Sequence, residues 1–346
     1  MIGKNAAGAL AVKTSLFLVA AMLSTQPGRA QNSDANWDIA RPGIKEFQLP
    51  FASLKAEATF KIGGDADWLQ ITDDAVWVAS SKPASVHRID PKTNKEVAIV
   101  PIPSGDPCAG LAFGFGSLWV PLCGKPASIA RVDARTNQIS AILPVGPAGD
   151  EGGITASNDS VWIVTDDAGT LARIDPATNK VRQKISIAPG SYNPCFGEGK
   201  VWITGKASNL LTAVDAVTGA VVATISVGPK PRFLIASPGS IWTLNQGDGT
   251  VTRVDTRSKR VAAIIQVGIP GPGGDIAWGA NSIWTSVFGV PLTAIDENTN
   301  KLVRQWVGLG GDALRFGHNS IWITDYKRGT LSRIAYSETQ KSKTSP

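Results

Sequence analysis

Carboxylates and cations recur in this chain at a spacing that could build one site. Gly64–Asp65, Gly105–Asp106, Gly149–Asp150, Gly274–Asp275 and Gly311–Asp312 repeat one dipeptide, and Asp67 and Glu151 lie beside two of them. Carboxylates converging on one rim offer the oxygen ligands that Ca²⁺ or Mg²⁺ takes, so Asp65, Asp67, Asp275 and Asp312 are candidate metal residues. The plainer reading is that each Asp caps the turn into its strand. Where Gly-Asp is missing the chain carries Tyr192 and Asn193, then Lys230 and Arg232. That basic arc could clamp a ligand bearing a carboxylate or ester, with Tyr192, Asp275 or Asp312 as candidate proton acceptors. The candidate ligand-binding set is Asp67, Trp68, Tyr192, Lys230, Arg232 and Asp325, and Arg315 is expected to pair with a neighbouring Asp. His87 and His318, the two histidines, read as structural. There is no Cys/His spacing of the zinc type, no Gly-rich phosphate loop, and no nucleophilic Ser with an evident His partner.

Positioning such residues falls to a repeat. A tryptophan preceded by Val, Ile or Leu occurs at 77, 119, 162, 202, 242, 284 and 322, at spacings of 42, 43, 40, 40, 42 and 38 residues. After each comes a polar loop, a strand such as Leu171–Asp175, a turn and a second strand. The turns run Asp90–Asn94, Asp133–Asn137, Asp175–Asn179, Asp215–Gly219 and Asp296–Asn300. Asp opens such a turn by accepting backbone amides, and Asn or Gly closes it in the left-handed region. Four strands per unit of about 40 residues predict an all-β, seven-bladed β-propeller over 56–336. The seventh unit lacks its outermost strand, while Glu57–Ile62 reads as a strand stranded ahead of the first unit. An N-terminal strand is therefore expected to close the last blade and leave no long open edge. The seven tryptophans should pack between blades, with Trp278 and Trp306 in the core.

Residues 1–30, with Lys4, Lys13, the apolar run Leu16–Leu23 and Gly28–Ala30, read as a cleaved secretory signal peptide. Its removal takes away three cations and no acid, so the formal charge falls from +6 to +3. No basic stripe suggests nucleic acid and no apolar run is long enough to span a membrane. A periplasmic or secreted monomer is expected. Residues 31–55 read as a leader strapped on the outside, and 337–346 as a disordered tail. Cys108 and Cys123 flank the hairpin Leu111–Val120 symmetrically, which predicts a disulfide between them and leaves Cys195 unpaired.

The [VI]-W-[IV] phrase followed by strands ending R-[IV]-D-P-x-T-N-K, as in Arg88–Lys95 and Arg173–Lys180, resembles YVTN-type propellers. Over 57–335 the chain is similar to the streptogramin (virginiamycin B) lyase group. That resemblance implies a metal-assisted elimination using two histidines and a glutamate on the last two blades. The matching positions hold Gly274 or Asp275, Asp312, and Asp325 or Tyr326 instead, so depsipeptide linearisation is not expected. Two functions remain open: a binding or scaffold propeller holding a small molecule, glycan or partner protein at the channel mouth, or a metal-assisted lyase or lactone/ester hydrolase of different site chemistry.

Overall fold

The computed structural model describes residues 43–341; the expected signal peptide, residues 31–42 of the expected leader and the last five residues lie outside that range. Seven separate sheets form seven blades. Their innermost strands are Gly64–Ile71, Asp106–Pro107 with Ala112–Gly114, Ile154–Ala156, Ser191–Gly197, Pro231–Ser237, Asp275–Gly279 and Leu314–Gly317, in blades 1 to 7. Each packs against the next blade and the seventh meets the first, so the ring is closed. Ala56–Lys61 pairs antiparallel with Thr330–Ala335 as the outermost strand of blade 7. The chain's own start thus satisfies the edge of its last sheet.

Each repeated tryptophan is fully buried, and the residue directly across the ladder decides how it joins the next blade. In five blades that residue is arginine: Arg88, Arg131, Arg173, Arg253 and Arg333. Each guanidinium lies 4.7–5.1 Å from the ring centroid of its own blade's tryptophan, and its Nη1 donates into the turn of the following blade. Arg88 reaches Asn137 Oδ1 at 2.9 Å, Arg131 reaches Asn179 at 2.8 Å, Arg253 reaches Asn300 at 3.0 Å, and Arg333 closes the ring on Asn94 at 2.8 Å. Arg173 meets Val217 O instead, where the turn ends in Gly219. Blades 4 and 6 carry Ala213 and Ala294 opposite the tryptophan. The turns they would have clamped are altered to match: blade 5's closes with Lys259, and blade 7 has none, its chain running into Tyr336, which packs edge-on against Trp284 at 6.1 Å. A planar, always-charged fork suits a position that must stack and donate at once.

Several expectations are refined. Gln48–Pro50 of the leader is a strand, adding in parallel to the outer edge of blade 6. Tyr336–Thr339 forms a helical turn with Thr339 buried, so order persists past 337. Trp306 is core, but Trp278 is 38% exposed, its indole donating to Glu297. The Cys108–Cys123 bridge is present, with Cα atoms 5.7 Å apart. The ladder is not symmetrical about it as expected: Cys123 pairs with Asp106, and the inner strand breaks before resuming at Ala112. Cys108 reaches its partner from that break.

Candidate functional site

The first-strand carboxylates have different fates because their partners come from other strands and other blades. Asp312 Oδ1 accepts the Gly274 amide at 2.7 Å, and Asp275 accepts the Ile276 amide at 2.8 Å and an ion pair from Arg315. Gly274 adopts φ +86, and a Cβ there would lie 1.8 Å from Ser286 O, so only glycine fits against the neighbouring strand where its amide meets Asp312. Asp67 sits at a bulge whose next residue, Trp68, has φ +22; the bulge turns the indole inward against Phe233 of blade 5, at 6.1 Å. Asp67, Asp275 and Asp312 are all buried. Burial raises Asp67 well above the ordinary carboxylate range, reinforced by the charges of Asp312 and Glu151. Asp312 is pushed up to about 8 by burial, then by Glu151 and Asp275, against the pull of the Gly274 amide and Arg232. Asp275 is raised by burial despite Arg315.

Facing these acids is the basic arc, and the structure enlarges it. Arg232 lies 5.1 Å from the Phe233 ring and 5.9 Å from the Tyr192 ring, and Lys206 Nζ lies 5.8 Å from the same tyrosine. Lys206 was not legible as a site residue, since it follows the second strand of blade 4 and only the ring brings it beside Tyr192. Its ammonium is lowered by burial and then by repulsion from Arg232 and Lys230. Arg232 Nη2 donates to Glu151 Oε2 at 2.9 Å. Its Nε is buried and has no hydrogen-bond partner among the described residues. The Tyr192 hydroxyl donates to Asp150 O, and burial pushes it up to about 12, although Arg232 pulls the other way. Lys230 is exposed, with its amide donating to Asn209.

Three other candidates lie apart from that arrangement. Asp65 is tied to Lys82 at 2.8 Å and to Ser81 at 2.9 Å; burial would raise it, but these partners together hold it below the usual range. Asp325 caps its own turn through the Arg328 amide and lines a pocket of about 110 Å³ with Phe288, Leu309 and Tyr326, which none of the other candidates enters. Trp68 is buried, so it shapes the channel floor rather than offering a contact surface. Arg315 pairs with Asp275 as expected. Of the four proposed metal residues, Asp65 is paired with Lys82 and Asp275 with Arg315, and among the described residues no group of three His, Cys, Asp or Glu is disposed to hold a metal.

One constellation escaped sequence reading. His87 lies 3.1 Å from Ser85 Oγ through Nε2 and meets Glu96 through Nδ1. Ser85 is 2% exposed and its hydroxyl donates to Pro83 O at 2.9 Å, so the Ser85–His87 end of this line is buried inside blade 1 while Glu96 lies at the surface. His318 bonds Thr72 O across the closing junction of the ring.

Seven sheets of four or five strands in a closed ring, with polar groups gathered where the innermost strands begin, define a seven-bladed β-propeller. The fold is similar to that of BamB from Moraxella catarrhalis, at a TM-score of 0.62 and 14% identity, covering 82% of this chain and 97% of that one. No protein-family model and no curated protein matches the chain.

Proposed function

We propose that this chain is an exported binding propeller whose channel mouth holds an anionic group of a small molecule, glycan or partner protein at the arc of Tyr192, Lys206, Lys230 and Arg232. The observation that carries the reading is the stacking of two cations, Lys206 and Arg232, on one tyrosine ring, with Arg232 Nε finding no acceptor among the described residues. Gathering like charges costs free energy that a bound anion recovers. Export is supported by the disulfide, which belongs to an oxidising compartment.

Elimination or ester hydrolysis has less behind it. The Tyr192 hydroxyl is engaged and its pKa is far above neutrality, which makes it a poor base at physiological pH.

The test is thermal denaturation with succinate, inorganic phosphate and an oligoglutamate peptide as probes. A ligand of the native state raises Tm with concentration by mass action. At least one probe should do so saturably, and Lys206→Gln should weaken the response several-fold with little change in the Tm of the probe-free protein. Flat responses to all three probes would overturn the reading.

A further inference from the structure

The Arg232 clamp already has an occupant. Glu151 belongs to the loop ahead of blade 3 and Arg232 to the innermost strand of blade 5, so their contact spans the mouth. The loop is held in place for this contact from several sides. Glu151 N donates to Cys108 O at 2.6 Å, and Cys108 is fixed by its disulfide. Gly110 N donates to Gly152 O at 2.9 Å, and the Tyr192 hydroxyl donates to Asp150 O. Asn193 Nδ2 spans the pair, donating to Glu151 O at 3.4 Å and to Arg232 O at 2.9 Å. Glu151 itself sits at φ +63, a conformation that side chains other than Asn and Asp rarely take. The backbone therefore accepts strain where it delivers this carboxylate to Arg232.

The delivered contact is nevertheless incomplete. An arginine and a carboxylate fit best as a fork using two parallel N–H donors. Here Nη2 is used while Nε is buried with no partner among the described residues. The Glu151 side chain is about one-third exposed (35%), against 10% for Arg232, so it can leave towards solvent while Arg232 cannot.

Resting on the anion-binding reading, we infer that Glu151 is a built-in stand-in for the ligand, and that the ligand presents a carboxylate which displaces Glu151 and engages both Nε and Nη2 of Arg232. Departure of Glu151 opens that edge of the guanidinium to both donors. A ligand is thus admitted only if its carboxylate outcompetes the tethered one, which sets a threshold against weak anions.

Calorimetric titration of the full chain with succinate and with inorganic phosphate tests this. The proteins are wild type, Glu151→Gly, which suits a positive φ and removes the competitor, Glu151→Gln, which removes only its charge, and Glu151→Gly with Arg232→Gln. Succinate should bind Glu151→Gly about tenfold or more tightly than wild type, with Glu151→Gln between them. The Arg232→Gln change should abolish that gain. If wild type, Glu151→Gly and Glu151→Gln bind succinate equally, Glu151 is no competitor and the inference falls while anion binding stands. If phosphate gains more than succinate from Glu151→Gly, the carboxylate assignment is wrong. If none of the proteins binds either anion, the anion-binding reading falls as well.

Discussion

Asp312 illustrates how one residue can tune the mouth. Its carboxyl is held near pKa 8 by burial and by neighbouring acids, so the folded state binds a proton that the unfolded chain releases near pH 4. Where the folded state holds the extra proton, stability falls as pH rises. The contribution is intact below about pH 4, is lost progressively towards pH 8, and does not change further above that. Asp67 and Asp275 act in the same direction. We expect wild-type Tm to decline between pH 5 and 8 and Asp312→Asn to flatten that decline, while keeping the acceptor oxygen for the Gly274 amide. A Tm profile in which Asp312→Asn falls as steeply as wild type would show that another group carries the dependence. The Gly-Asp recurrence and a pairing of Arg315 with an Asp were legible in the sequence, but the partners of Asp65 and Asp312 were not. Asp65 ends beside Lys82, Asp275 beside Arg315, and Asp312 under the Gly274 amide, and two of those three partners come from a different blade. Pairing across blades leaves no trace in local spacing.

At the scale of the element, the turn consensus has a second role that its own strands do not reveal. Asn137 closes its turn at φ +57 and also accepts from Arg88 of the preceding blade. Lys259 occupies the matching place in blade 5 at φ +56, where the preceding blade has Ala213 and no arginine to offer. Lysine bears the left-handed backbone no better than alanine, so Lys259→Ala should be nearly neutral. Asn137→Ala should cost at least about 1 kcal/mol more, the ordinary net worth of one such hydrogen bond added to asparagine's own preference for that backbone. Urea denaturation of both variants measures the difference, and equal losses would reduce the clamp to a bystander. The strands and turns were readable because apolar alternation and Asp…Asn spacing are local. The arginine's reach was missed because its acceptor lies about 47 residues ahead, in another sheet.

At the scale of the whole molecule, ring closure lets seven marginal sheets bury their faces against one another. A four-stranded blade cannot bury both faces alone, so each junction has to be complete. The last depends on Ala56–Lys61. Phe60 stacks on Trp322 at 6.1 Å, Glu57 pairs with Arg333 at 2.9 Å, and Ile62 and Gly63 donate to Gly329 O. Arg333 in turn clamps the first blade's turn, so losing this strand exposes the edge of blade 7 and disturbs the residue that joins blade 7 to blade 1. A chain beginning at Gly63 should therefore melt at least about 10 °C below one beginning at Gln31, with a broader transition as the ring frays from blade 7. Removing 342–346 should change neither. A synthetic peptide of residues 54–62 supplied in trans should restore part of the lost Tm in proportion to its concentration, because it binds only the folded ring. Truncation that leaves Tm within about 2 °C of the parent would mean the remaining junctions suffice and the N-terminal strand is an ornament on an already closed ring; truncation that lowers Tm without rescue by the peptide would place the loss elsewhere in the removed segment, with the parallel strand Gln48–Pro50 on blade 6 as the part left to account for it.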